Sequence, residues 1–471
     1  MINLNNKINS IEKRTFYFTL LIISIWYLIF GLDLINEPYI WDDLHFFRNY
    51  SNQDLKNIWT GNWDADGIET PGYRPFAVLY YHILYLVFGE NTFLFRNFVI
   101  FEALILILIS NKLLIYLNFS ERKIFFFICL IVFSKIFITL ISWFTISVLI
   151  LVYILSFTSI LLFLISIEEK KKIIYFLSIL ISGIAIFTRE ELYIIPIVLF
   201  LIYFYKKKVN FYNLISISIK VLPFLSLVII HILLRKQFIP EGDHLQIVDY
   251  TIKYGENLIT FGGLIKAFKS SFLPMGYFSL KNSDLIQTFF SFLWITLIIF
   301  SLIIIIKNCT IIKDNLKKNF ILVSLTLVCC LPHLTIPRAW GIFLPSFFAL
   351  ALIISLIDSL FLLRKPNKNL YNNFYFLISL VLMFVGILGG IYRSSEHAKA
   401  MNQYSLSIIR YDALFIYGFK HEGFNLSIPK ARYLSKKKHL NQLKIYDFRR
   451  DDEIPITSKK IIINRYRPIW F

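Results

Sequence analysis

The chain has 471 residues, 57% hydrophobic and only 17% charged, and its 49 Lys and Arg against 30 Asp and Glu leave a formal charge of +19. Soluble domains carry roughly 45–50% apolar and about 25% charged residues. The composition therefore excludes a soluble cytosolic enzyme, a disordered chain, and a nucleic-acid binder with its charge spread over a folded surface.

A membrane-spanning helix needs about 20 predominantly apolar residues. In chain order such runs fall at 16–36, 93–116, 124–141, 146–166, 173–188, 192–205, 213–234, 286–306, 320–336, 340–362 and 374–391. The first, from Phe16, is too long for the core of a cleavable signal peptide, and no small-residue cleavage site follows it. The expected fold is an all-α polytopic membrane protein of about 11 transmembrane helices. Residues 1–391 form the membrane domain and 392–471 a small extramembrane tail. Cys129, Cys309, Cys329 and Cys330 lie in apolar runs or at their edge, with neither a disulfide framework nor a metal spacing, and read as small buried hydrophobes.

Charge sets the orientation. With the N-terminus inside, the inner segments hold Lys7, Lys13 and Arg14, Arg122 and Lys123, Lys170 to Lys172, Lys206 to Lys208, Lys307, Lys313, Lys317 and Lys318, and Arg364, Lys365 and Lys368. That asymmetry follows the positive-inside bias. Two long loops then face outward, 37–92 and 235–285. The tail also falls outside, although Lys436, Lys437 and Lys438 would suit the inside equally well. Phe76–Gly89 spans about 21 Å as a helix, short of a hydrocarbon core of about 30 Å. It is expected to lie along the interface with Tyr80, Tyr81 and Tyr85 at the headgroups. Lys459–Phe471 alternates in polarity and suggests a strand in the tail. There is no internal repeat.

Ionisable residues near the membrane are costly and mark candidate sites. Asp42 and Asp43 are adjacent carboxylates amid aromatics, just after the first span. Burial and mutual repulsion there would raise their pKa values and suit one of them to general-base work. The alternative is an aromatic interfacial anchor with two solvated acids. Thr70–Pro75 contains a proline-fixed bend with Arg74 at headgroup level, or a snorkelling arginine. Arg189, Glu190 and Glu191 crowd one outer turn, and Arg338 lies in another. Arg393 ends the last span on that side. Arginine binds phosphate through charge-assisted, bidentate hydrogen bonds, so outward arginines facing carboxylates suit a phosphate-bearing lipid headgroup and a base. The competing reading is a set of structural ion pairs. No HExxH, P-loop or GxGxxG motif offers a seat for a metal or a nucleotide.

In order, these features resemble the GT-C integral-membrane glycosyltransferases, among them protein O-mannosyltransferases, aminoarabinose transferases and oligosaccharyltransferases. The resemblance rests on the acidic pair Asp42-Asp43, on Tyr73-Arg74-Pro75, and on Phe95-Arg96-Asn97 opening the second span. It extends to Arg189-Glu190 followed by Pro196, and to Arg338 followed by Pro345. It implies an inverting, hexosyltransferase-type enzyme using a polyprenyl-phosphate sugar at the outer face of a bacterial-type inner membrane. The acceptor would be an envelope glycan, lipid or protein, and nucleic acid would play no part. Asp42 corresponds to the catalytic acid position and Asp43 would orient it. Arg74, Arg189 and Arg338 would bind the donor phosphate. Glu190 and Glu191 would serve the acceptor or act as a second acid. Family members divide on divalent-cation dependence; Asp42, Asp43 and Glu190 are the residues that would hold Mg or Mn. O-mannosyltransferases carry Glu at position 43, and the Trp-Trp-Asp signature of oligosaccharyltransferases is missing, against en bloc transfer to asparagine.

Two rival functions fit the same composition. A polysaccharide polymerase would bring a large substrate against a long late loop, yet loop 235–285 offers its acids little arginine counterpart. A lipid-linked-sugar transporter would need broken helices and midplane polarity, where Glu102, Lys135 and Lys220 are the few charges.

Overall fold

The computed structural model describes residues 2–32, 50–61, 72–89, 91–142, 144–208, 210–239, 313–333 and 339–364, isolated positions 35, 46, 264, 267, 268, 271 and 377, and two strands at 413–415 and 444–446. The helices are α1 (Ile2–Trp26), which runs into a π-helical turn (Tyr27–Gly31), α2 (Asn52–Asn57), α3 (Pro75–Phe88), α4 (Thr92–Tyr116), α5 (Glu121–Val132) and α6 (Lys135–Ser142). There follow α7 (Phe144–Glu169), α8 (Lys172–Thr188), a 3-10 turn (Glu190–Ile194), α9 (Ile195–Lys206) and α10 (Phe211–Phe238). After α11 (Lys313–Cys330) come 3-10 turns at Leu331–His333 and Ala339–Ile342, then α12 (Phe343–Arg364). A short parallel pair joins β1 (Ala413–Phe415) to β2 (Lys444–Tyr446) within the tail.

The protein is a mainly helical integral membrane protein. Among the described residues four helices are long and apolar enough to cross a membrane, over Ile11–Gly31, Phe93–Tyr116, Thr145–Glu169 and Phe211–Phe238. The expected spans 286–306 and 374–391 lie outside the described residues, Leu377 apart, as does the strand expected near the end of the tail. Cys129, Cys329 and Cys330 are buried and unbridged.

Helix α7 is the centre of the bundle. It packs on α4, α6, α8 and α9. Two thirds of its span, 67%, is buried, against 28% for α10 at the edge. In lipid the apolar effect does not press helices together, so close packing and interhelical hydrogen bonds must do so. Ser159 of α7 meets the Ser178 and Ser182 hydroxyls of α8 at 3.1 and 2.5 Å. The Asn111 side-chain amide of α4 donates to the Thr19 hydroxyl of α1 at 2.7 Å. Pro223 sits inside α10 and offers no N–H to the Ile219 carbonyl four residues back. The next carbonyl, that of Lys220, accepts from the Tyr175 hydroxyl at 2.6 Å, which ties α8 to α10 beside the proline.

Two expectations change. The run 124–141 is two buried helices, α5 and α6. Ser134 makes the break: its hydroxyl accepts from the Phe137 N–H at 3.2 Å, capping a new helix start. The second change concerns α3, which runs from Pro75 and stops at Gly89 in a left-handed conformation, φ +54°. Two of its three tyrosines, Tyr80 and Tyr81, do not face headgroups. Tyr80 and Tyr81 are buried and bond inward, to Glu102 at 2.6 Å and to the Thr145 carbonyl. The exposed side of α3 is apolar, at Ile83, Leu86 and Val87.

The bundle has two chemically distinct ends. At one, Lys206 pairs with Glu168 at 2.6 Å and lies over the Tyr116 ring, Lys318 lies over Tyr205, and Arg14 meets Glu121 at 3.3 Å. The other end gathers Arg74, Arg189, Glu190 and Glu191.

Candidate active site

Three chain segments build the second end. Arg74 precedes Pro75, which opens α3 at its first position. A residue before proline is driven out of the helical region, and Arg74 sits at φ −137°, ψ 58°. Helix α8 ends at Thr188, whose hydroxyl turns back to the Ile184 carbonyl at 2.7 Å. Arg189 is then extended at φ −155°, ψ 129°, which starts the 3-10 turn with Glu190 and Glu191 foremost. Pro196 fits the first turn of α9, where no intrahelical N–H is needed. The third segment is the last turn of α10, carrying Arg235.

The charges meet there. Arg74 Nε donates to Glu190 Oε2 at 2.6 Å, and the two side chains are 14% and 12% exposed. Arg235 Nη1 faces the other carboxylate oxygen, Oε1, at 3.5 Å. Arg189 Nη2 meets Glu191 Oε1 at 3.3 Å. Burial would raise the Glu190 carboxyl, but Arg74 and then Arg235 outweigh it and hold it down at about 2. Burial would lower the Arg189 guanidinium, and Glu191 and Glu190 more than reverse that. The Arg189 Nε is buried and has no hydrogen-bond partner among the described residues. Among the described residues this end gathers the guanidiniums of Arg74, Arg189 and Arg235 and the carboxylates of Glu190 and Glu191.

An aromatic layer lies directly behind. His231, one turn before Arg235 in α10, is fully buried. Its Nε2 is 2.9 Å from the Tyr73 carbonyl and its Nδ1 2.6 Å from the Tyr193 hydroxyl. Phe187 packs edge-on against it at 4.8 Å. The Tyr73 hydroxyl in turn donates to the Trp59 carbonyl at 3.0 Å, tying this layer to the loop after α2.

Of the residues singled out in the sequence, Arg74, Arg189, Glu190 and Glu191 come together. Asp42, Asp43, Arg338 and Arg393 lie outside the described residues. Arg96 is fully buried at the start of α4, and its neighbour Asn97 accepts from the Tyr27 hydroxyl at 3.0 Å. Sequence reasoning missed Arg235, His231 and Tyr193. The available signal was the spacing of His231 and Arg235, four residues apart and so on one helix face.

Of the three residues expected to hold a cation, Asp42 and Asp43 lie outside the described residues, and Glu190 has Arg74 Nε at 2.6 Å from Oε2 and Arg235 Nη1 at 3.5 Å from Oε1. Among the described residues no group of three His, Cys, Asp or Glu side chains converges as a cation site.

No protein-family model matches the chain. No curated protein matches it by sequence either. Among solved structures it is similar to the archaeal oligosaccharyltransferase AglB from Archaeoglobus fulgidus in complex with an inhibitory peptide and a dolichol-phosphate, with 14% identity, 81% of this chain and 56% of that chain covered, and a TM-score of 0.48. It is also similar to the Archaeoglobus fulgidus oligosaccharyltransferase tethered with an acceptor peptide containing the NVT sequon, with 16% identity, 80% and 55% coverage, and a TM-score of 0.47. This chain thus spans just over half the length of those proteins, 56% and 55%.

Proposed function

We propose that this protein is an inverting glycosyltransferase that moves a sugar from a polyprenyl-phosphate donor to an envelope acceptor at the outer face of the membrane. The observation that carries the reading is the buried arginine–glutamate end, assembled from three distant segments, with Arg189 Nε buried and unpartnered among the described residues. A guanidinium N–H that is buried with no hydrogen-bond partner among the described residues is a seat for a further acceptor, and a phosphate monoester or diester suits it. The opposite end carries the exposed lysines, so the positive-inside bias turns the arginine end outward.

In this reading the acceptor hydroxyl loses its proton to Asp42 as its oxygen attacks the anomeric carbon. The bond from that carbon to the phosphate oxygen breaks, the configuration inverts, and polyprenyl phosphate leaves with the negative charge. Arg189, with Arg74 and Arg338, stabilises that charge. Asp43 orients the base. Glu190, held ionised between Arg74 and Arg235, aims the guanidiniums and is a poor proton acceptor. Glu191 does the same for Arg189. A divalent cation, if the reaction uses one, falls to Asp42 and Asp43, where it would offset charge on the leaving phosphate.

The test is sugar transfer in liposomes from undecaprenyl-phosphate monosaccharides to envelope extracts, comparing wild type with Asp42→Asn and Arg189→Ala. Wild-type consumption of the donor, with loss in both folded variants, supports the reading. Equal activity in all three removes the site and leaves the enzyme class. A wild type that moves intact lipid-linked sugar between leaflets without breaking the glycosidic bond makes it a transporter.

A further inference from the structure

His231 is a fully buried imidazole in an otherwise apolar stretch of α10, and nothing in the transfer chemistry above uses it. Every group around it adjoins a member of the charged layer. Tyr73 precedes Arg74, Phe187 lies two residues before Arg189, Tyr193 lies one turn after Glu190, and Arg235 lies one turn after His231 itself.

The donor and acceptor roles follow from chemistry. A carbonyl only accepts, so the 2.9 Å contact with the Tyr73 oxygen requires a proton on Nε2. The other nitrogen of a neutral ring then accepts from the Tyr193 hydroxyl at 2.6 Å. A ring bonded at both nitrogens has no rotational freedom, and three flanking aromatic rings hold its plane.

We propose that His231 is a positioning residue that keeps Arg74 and Glu190 in register for a lipid phosphate, by bridging the Tyr73 carbonyl and the Tyr193 hydroxyl through a neutral ring protonated on Nε2. Its link to the phosphate rests on the transferase reading; the bridge itself does not. The Tyr73 arm matters most, because the peptide it holds is the one that carries Arg74.

Two amide variants separate the arms. Gln extends its amide to the place of Nε2 and can still donate to Tyr73. Asn reaches only the place of Nδ1 and keeps only the Tyr193 contact. The measurement is the affinity of detergent-purified full-length protein for undecaprenyl phosphate, with melting temperature as a check on folding. His231→Gln is expected to bind within a few-fold of wild type, and His231→Asn to lose roughly 10-fold or more, the scale on which supporting-shell changes act. Solid-state NMR of protein labelled with nitrogen-15 at histidine is expected to find the His231 ring neutral and protonated on Nε2, its signal assigned by its loss in His231→Gln. Equal binding by folded Gln and Asn variants, or a ring protonated on Nδ1, overturns the proposal. A wild type that neither binds undecaprenyl phosphate nor transfers sugar, yet shows the Nε2 proton, overturns the transferase reading and the link to the phosphate together and leaves the bridge.

Discussion

The two ends of the bundle use the same chemistry, carboxylate against cation, to different purposes. At the lysine end Arg14 and Glu121 lie 3.3 Å apart with side chains 65% and 24% exposed. At the arginine end Arg74 and Glu190 lie 2.6 Å apart at 14% and 12%. An exposed pair trades water for a weak, screened attraction and is worth about 0–1 kcal/mol. A buried pair must repay desolvation, so its value appears mainly when one partner is taken away. Removing a partner should therefore cost little at the lysine end and much more at the arginine end.

That contrast is easiest to break at Glu190. Glu190→Ala leaves the mostly buried Arg74 and the partly exposed Arg235 without their shared carboxylate, and we expect a loss of roughly 3–5 kcal/mol in detergent unfolding. Acid should reproduce most of it. The Glu190 carboxyl is held at about 2 against an ordinary 4.5, so its proton binds less readily in the folded state. Its contribution is then complete above pH 4.5 and is lost as pH falls towards 2, about 3 kcal/mol in all. Denaturant unfolding of wild type and Glu190→Gln between pH 6 and pH 2.5 checks this: the two stabilities should converge on acidification. Curves that stay parallel would mean the pair adds nothing that depends on the charge of Glu190.

Arg74, Arg189, Glu190 and Glu191 were legible because charge is rare in this sequence and theirs clusters at turns on one side. Arg235 and His231 were not, since a boundary drawn at 235 gave the arginine to a loop and left the histidine inside an apolar run. Only the helix carried to Phe238 puts the two on one face, a turn apart. The inward aim of Tyr80 and Tyr81 was hidden for another reason. A 14-residue helix that is apolar all round has no polar stripe to mark its face. Glu102, Tyr80's partner, lies on another helix, and that pairing is tertiary information. The break at Ser134 had a single cue, one hydroxyl residue in a hydrophobic run, which pattern alone reads as part of the span.

A milder change sharpens the contrast at Arg189. Arg189→Lys keeps the charge and loses the planar fork, including the Nε that lacks a partner among the described residues. If the fork binds phosphate, affinity for undecaprenyl phosphate should fall about 10-fold, near 1.4 kcal/mol, with little change in melting temperature. If the arginine only neutralises Glu191, lysine should serve as well and affinity should not move.

The smallest effect is expected at the lysine end, and its size is the control for all the others. Glu121→Ala removes the partner of an arginine that is already largely in water, so the loss should stay within about 0–1 kcal/mol. It should shrink further at 1 M salt, where the Debye length falls to about 3 Å. Glu190→Ala, measured in the same detergent at the same two salt concentrations, should keep most of its loss because its partners are shielded from mobile ions. A Glu121 effect as large and as salt-resistant as that of Glu190 would mean that the lysine end is electrostatically closed too, and that an ion-pair site of this kind does not by itself mark the working end of the bundle.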